Sequence, residues 1–426
     1  NEGVTFLNAY CQMSLCVPSR QSFLTGMRPD TFGAEFETRF RTKLPDVVTL
    51  PQQFSKHGYR TRGIGKVFHH RDDQSWDEPQ WMPDPPFCYP IYGTETNLSV
   101  QRDRIARGEY FPKGEDWHSK GGMWNPAGIW EAPNVEDDAL TDGMIANKAI
   151  SSLREFNGEP FFMAVGFFRP HLPFIAPKKY YDLYPLEEVA LPEDPDVPEG
   201  TPAFAAETGG EWRRYHDVVP TPQMPDTRVQ REYIRGYLAC VSYIDAQIGR
   251  LLGELRSLEL EDNTIVMMMS DHGYHLFDKN SFGKSTNFED GTRVPLIVKW
   301  PGVGMNNVKT CALVELLDVY PTLCDVAQIP VPEHTQGKSF ASALQIKDHP
   351  GKQAAYSQYH RGGYKGYSVR TEQHRLTRWR KESEVLYELY DYHEDPDETR
   401  NLSGDVSNKL IIESLSLLLS NVEPHD

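Results

Sequence analysis

Residues 15–26 read L-C-V-P-S-R-Q-S-F-L-T-G and put a thiol, a proline and an arginine within little more than one helical turn. Pro18 suits the first turn of a helix, where its missing N–H is not needed, and Gly26 suits the left-handed residue that ends one. Cys16 then stands at a helix N-terminus with Arg20 one turn on, so the helix dipole and a guanidinium both face an anion held beside residue 16. A second constellation, Asp271 and His272, lies one serine beyond the apolar run T-I-V-M-M-M. Ligands of α/β sheets sit beyond the carboxyl ends of the strands, which makes that pair a candidate metal site. His171 stands between Pro170 and Pro173 in G-F-F-R-P-H-L-P-F. The prolines restrict the backbone on both sides of an imidazole able to donate a proton near neutrality. Together these groups suit transfer of an anionic group.

The elements that must position them are legible as patterns. The chain has 426 residues, 39% hydrophobic and 12% aromatic, enough for a large globular core and a smaller one. Residues 159–168, 263–273 and 294–302 are short apolar runs closed by glycine, proline or polar residues, as in strands covered on both faces. Between the first two runs, residues 229–255 predict a long helix, with Ile234, Leu238, Val241, Ile248, Leu252 and Leu255 on one face. Strand, helix and strand make a βαβ unit, so the expected class is α/β: a large, mostly parallel sheet flanked by helices. Proline-rich stretches at 76–135 and 183–227 read as long surface loops able to rim a pocket. From about residue 350 the texture changes to successive β patterns, A-A-Y-S-Q-Y-H, G-Y-S-V-R-T, H-R-L-T-R-W-R and V-L-Y-E-L-Y-D-Y, and then an amphipathic helix near 405–421. The expected division is a catalytic domain over 1–349 and a C-terminal subdomain with a small antiparallel sheet over 350–426.

A net charge of −17 disfavours non-specific binding to nucleic acid or to an anionic membrane. No apolar run approaches the roughly 20 residues of a membrane-spanning helix. The opening N-E-G-V-T-F-L-N-A-Y-C-Q carries no signal-peptide pattern. Cys11, Cys16, Cys88, Cys240, Cys311 and Cys324 are spread without metal-binding spacing.

C-x-P-S-R followed by L-T-G resembles the signature of the type I sulfatases, which have the alkaline-phosphatase-like fold. The resemblance implies that Cys16 is modified to formylglycine by a formylglycine-generating or anaerobic sulfatase-maturating enzyme. The aldehyde hydrate offers two hydroxyls on one carbon, so one can attack sulfur and the other release sulfate. S-D-H-G and T-N-F-E-D-G-T-R-V-P-L resemble the family's second metal motif. They imply that Asp271 and His272 bind calcium rather than magnesium, and that Lys284 reaches the sulfate. G-K-x-x-H at 65–69 resembles the pair contacting formylglycine and sulfate, which assigns Lys66 and His69, with His70 the neighbouring alternative. His171 takes the position that contacts sulfate, and His275 is an additional candidate. Stretches such as Q-G-K-S-F-A-S-A-L and E-L-Y-D-Y-H-E-D-P-D-E-T-R-N-L are more similar to the iduronate-2-sulfatase branch than to the arylsulfatases. The implied substrate is a sulfated saccharide, such as a 2-O-sulfated uronic acid of a glycosaminoglycan, and the implied placement is extracytoplasmic. Two other functions fit the same residues: a phosphatase or phosphonate hydrolase of the same superfamily, and an inactive homologue binding sulfated glycans through Arg20, Lys66, His171 and Lys284.

One feature of the pattern is missing. In the family, a strand upstream of the nucleophile ends in two metal-binding aspartates; no such strand is expected in the fifteen residues before Cys16, so the expected catalytic domain lacks its first strand and two of the metal ligands. The expectation is a fragment, unstable or inactive alone, that an upstream extension would restore to calcium binding and turnover.

Overall fold

The structure is a computed structural model describing residues 2–33, 39–83, 92–107, 127–156, 158–207, 210–215, 217–218, 224–420 and 422–423. Cys88 and parts of the two long loops lie outside the described residues. The first strand, β1 (Val4–Tyr10), is central to its sheet and delivers the chain to Cys16. Its V-T-F-L-N-A-Y buries Val4, Phe6 and Ala9 against strand and helix neighbours. β2 (Arg60–Gly65) and β3 (Phe161–Gly166) pair in parallel. β4 (Val266–Met269), β5 (Arg293–Lys299) and β6 (Val308–Glu315) join β1 in the order β6-β1-β5-β4.

The α/β class holds, and within it the four-stranded sheet is mixed. β6 runs parallel to β1, while β5 is antiparallel to both β1 and β4. The reason is connectivity: no long crossover helix lies between β4 and β5, so the chain turns back at the site end and β5 must return antiparallel. The expected βαβ unit of β3, helix and β4 has its three elements, but β3 pairs with β2 and β4 with β5. Both β3 and β4 are half-buried throughout.

Helix α1 (Cys16–Thr25) starts from extended Leu15 and ends at Gly26, whose φ of 71° is the left-handed cap expected there. Phe23 and Leu24 join Phe6, Leu296 and Val314 in the main core. α2 (Thr141–Glu155) and α3 (Thr227–Ser257) lie on the β2–β3 side. Asp226 caps α3 by accepting from the N–H groups of Arg228 and Val229, both at 3.0 Å. The buried face of α3 is Tyr233, Ile234, Gly236, Ala239, Cys240, Tyr243, Gln247 and Leu255. The expected stripe is thus corrected: Ile234 and Leu255 are inside, but Val241 and Leu252 are exposed. Aromatic packing against Phe174, Phe277 and Phe282 rotates the helix toward its tyrosines.

The C-terminal strands β7 (Ala355–Gln358), β8 (Lys365–Arg370), β9 (His374–Lys381) and β10 (Glu384–Asp391) form an antiparallel sheet in chain order. α4 (Lys409–Leu419) covers it through Leu415 and Leu419. No helix among the described residues is long and apolar enough to cross a membrane.

Candidate active site

The end of β1, the start of α1 and the loops following β2, β3 and β4 meet at the Cys16 sulfur. Cys16 is 3% exposed. Its Sγ lies 3.2 Å from His272 Nε2, 3.3 Å from Lys284 Nζ and 3.7 Å from Lys66 Nζ. His69 and His171 also interact with it. Burial opposes a charged sulfur, but Lys284, Lys66 and His272 outweigh it and hold the thiol well below its ordinary range. Such surroundings fit an atom, or its oxidised successor, that carries negative charge during reaction.

Each neighbour is fixed from behind. Gly65, at φ 71°, ends β2 against β3, and a Cβ there would meet Gly166 O at 2.2 Å, so glycine is required for Lys66 to turn into the site. Burial pushes the Lys66 ammonium down, with Arg20 and Lys284 adding to it and Cys16 opposing. His69 is pushed down to about 4, chiefly by burial, and is therefore neutral near pH 7. His70 packs beside it, ring centroids 5.1 Å apart. The peptide bonds preceding Pro170 and Pro173 are cis. Asp142 accepts from the N–H groups of Phe168 (2.7 Å) and Arg169 (3.2 Å), and Arg169 Nη1 donates to His171 O at 2.8 Å. His171 Nδ1 is bonded to Leu172 O at 2.8 Å, leaving Nε2 to face Lys284 Nζ at 3.3 Å. Burial, Lys284 and Lys66 lower the His171 imidazole, against Glu211 and Cys16. Lys284 is held strongly charged: Cys16, Glu211 and Asp271 together exceed the opposing effect of burial.

Arg20 stands one step back from the sulfur. Its Nε donates to Asp271 Oδ2 at 2.7 Å, and its Nη1 donates to the carbonyls of Lys66 and of Val67, the latter at 3.0 Å. The expected guanidinium facing an anion beside Cys16 is instead turned to the half-buried Asp271 carboxylate and two carbonyls. It thereby ties the ends of α1, β2 and β4 together. Against the opposing effect of burial, Arg20 and His272 hold Asp271 down to about 2. Asp271 and Cys16 raise His272 against burial, and its Nδ1 is fixed on Gly273 O at 2.8 Å.

Asp271, His272 and Cys16 bring ligand atoms within 4.8 Å of one another. Calcium takes about six to eight oxygen ligands. Among the described residues this group supplies one carboxylate and one imidazole, and the carboxylate is already paired with Arg20. These residues alone do not fit a calcium shell.

His275 is not part of this cluster. It is fully buried, bonded through Nδ1 to Asp278 and through Nε2 to Thr286 Oγ1 at 2.8 Å. Asp290 completes that second group and is itself paired with Lys279 Nζ at 2.8 Å. Conversely, Glu211 lies in the site without any sequence signal beyond its place in the 183–227 loop. Its Oε2 is 3.6 Å from Lys284 Nζ and its Oε1 3.7 Å from His171 Nε2.

Comparison with known proteins gives a consistent picture. The family profile described as Sulfatase matches residues 1–329, and that described as N-sulphoglucosamine sulphohydrolase, C-terminal, matches residues 273–424. Iduronate 2-sulfatase of Mus musculus is 31% identical, across 97% of this chain and 87% of the relative. A protein solved in complex with its substrate D-glucosamine-2-N,6-O-disulfate superposes with a TM-score of 0.75 at 22% identity, over 99% of this chain and 90% of the other. A 2-O GAG sulfatase gives 0.71 at 23% identity, over 99% and 84%. The phosphonate monoester hydrolase of Silicibacter pomeroyi gives 0.72 at 20%, over 99% and 88%. At these identities the structures establish the alkaline-phosphatase-like fold.

Proposed function

The chain belongs to the sulfatase family, and from that premise we propose that it removes sulfate from a 2-O-sulfated uronic acid, using Cys16 converted to formylglycine. The carrying observation is the convergence of Lys66, His69, His171, His272 and Lys284 on one buried sulfur. Likeness to iduronate 2-sulfatase supports the choice of sugar and linkage.

Formylglycine at position 16 supplies, as its hydrate, one hydroxyl to attack sulfur and a second to release sulfate. Lys66 and Lys284 bind the sulfate oxygens and neutralise the charge that builds on them. His171, its Nδ1 held on Leu172 O, gives the Nε2 proton to the departing sugar oxygen. In the free site the two lysines disfavour imidazolium. An arriving sulfate anion offsets them and returns His171 toward its charged form. Arg20 keeps Lys66 and Asp271 in register through their shared contacts. Conversion of Cys16 makes a maturating enzyme an obligatory partner.

The test is co-production with a formylglycine-generating enzyme, mass analysis of the peptide around Cys16, and sulfate release from a 2-O-sulfated uronic acid disaccharide. Converted Cys16 with sulfate release is expected. An unmodified thiol without release overturns the reading, and faster turnover of an aryl phosphonate than of the sulfated disaccharide favours the phosphonate hydrolase.

A further inference from the structure

We propose that Glu211 contacts the substrate, its Oε1 accepting a hydrogen bond from the saccharide hydroxyl on the carbon next to the sulfated one. The proposal rests on the saccharide sulfatase reading and deepens it at the same site.

Glu211 is carried by a short turn (Glu211–Arg214) in the 183–227 loop, and the turn is anchored. Trp212 is 2% exposed, packs edge-on to Phe282 with centroids 5.8 Å apart, and is covered by Arg213 at 4.4 Å. The carboxylate is thus held in place, and its contacts with Lys284 Nζ and His171 Nε2, at 3.6 and 3.7 Å, are longer than hydrogen bonds. Oε1 is buried and has no hydrogen-bond partner. A buried ionised oxygen without a donor is costly and calls for a reason.

The surrounding charge sharpens the question. Lys66, Lys284 and His272 form a site for an anion, and a carboxylate among them weakens that site for sulfate alone. Its presence is accounted for if the ligand brings a donor as well as a charge. His171 Nε2, assigned to the departing sugar oxygen, lies 3.7 Å from Oε1, so the hydroxyl on the adjacent carbon is a donor within reach. Like charge keeps a uronic carboxylate away from the same oxygen, which orients the ring with its carboxylate on the opposite side.

The experiment compares two ligands by calorimetry in a Cys16→Ala background, where no turnover occurs: inorganic sulfate and a methyl glycoside of 2-O-sulfated uronic acid. Glu211→Gln keeps the shape and removes the charge. It is expected to weaken the glycoside about tenfold or more, the scale of one hydrogen bond to a charged group, while tightening inorganic sulfate. The 3-deoxy glycoside is expected to bind the two proteins alike or to favour the variant. Equal changes for sulfate and glycoside overturn the proposal, because Glu211 then acts only through Lys284 and His171. Binding of neither ligand by the Cys16→Ala protein overturns it as well. Opposite shifts in a protein whose converted wild type releases no sulfate would sink the sulfatase reading and leave this one standing.

Discussion

In the proposed reaction, His171 is the residue on which the leaving group depends. A sugar alkoxide is a poor leaving group and needs a proton, whereas a nitrophenolate does not. His171→Asn is therefore expected to lower kcat for the saccharide sulfate about 10²- to 10⁴-fold and for nitrophenyl sulfate much less. Parallel steady-state measurements on both esters check it, and equal losses would reassign His171 to sulfate binding. Residues of this kind were readable because each sits in a local motif: Cys16 and Arg20 in one helical turn, Lys66 and His69 just after a strand, Asp271 and His272 at the end of another. Glu211 was not readable, since nothing within its own loop records that Trp212 would dock on Phe282 and turn the carboxylate toward Lys284.

Among the elements, the C-terminal strands were the most legible, because alternation of period two with intervening turns is a local signal. That sheet also holds a titration of its own. Glu388 on β10 is fully buried, accepting from Trp379 Nε1 at 2.6 Å and from Tyr390 Oη at 3.0 Å. Burial, aided by Glu398, raises its carboxyl from 4.5 to about 7, despite those two hydrogen bonds. Between these values the folded protein keeps a proton that the unfolded chain has released. Stability is therefore full below about pH 4.5 and falls as pH rises through about 7, by on the order of 3 kcal/mol for a shift of this size. Glu388→Gln should flatten that slope in denaturant titrations from pH 4.5 to 8; an unchanged slope would place the titration elsewhere. Helix α3 shows the limit of periodicity: length and capping were local, but the choice between a leucine and a tyrosine face was made by the aromatic side chains packed against it.

In the whole molecule, a buried guanidinium helps tie the C-terminal sheet to the site. Arg375 on β9 is 1% exposed and donates to Glu398 Oε1 at 2.8 Å, to Tyr392 Oη at 2.7 Å, to Asn287 O at 3.0 Å and to a carboxylate oxygen of Glu289. Tyr10 Oη, at the end of β1, donates to Glu289 at 2.9 Å. Asn287 and Glu289 follow Lys284 by three and five residues, so the sheet buttresses the segment bearing that lysine. Arg375→Ala leaves buried Glu398 without its ion-pair partner and removes one of the cations on Glu289, and is expected to cost about 3–5 kcal/mol of stability in denaturant melts. It should also lower sulfatase turnover more than Arg380→Ala, on the exposed end of the same strand. A neutral effect of Arg375→Ala would show the two sheets to be energetically independent.

The chain by itself marked the candidate residues of the site and where along strands and helices they fall, because capping, proline restriction and hydrophobic period act over a few neighbouring residues. Tertiary structure alone decided which of those groups meet. Lys284 reaches Cys16 across 268 positions, β5 returns antiparallel for want of a crossover, Arg20 turns from the sulfur to Asp271, His275 is drawn into a separate cluster, and Glu211 enters the pocket. Each of these outcomes depends on long-range packing and on the competition of buried charges for partners, and neither is written in any short stretch of sequence.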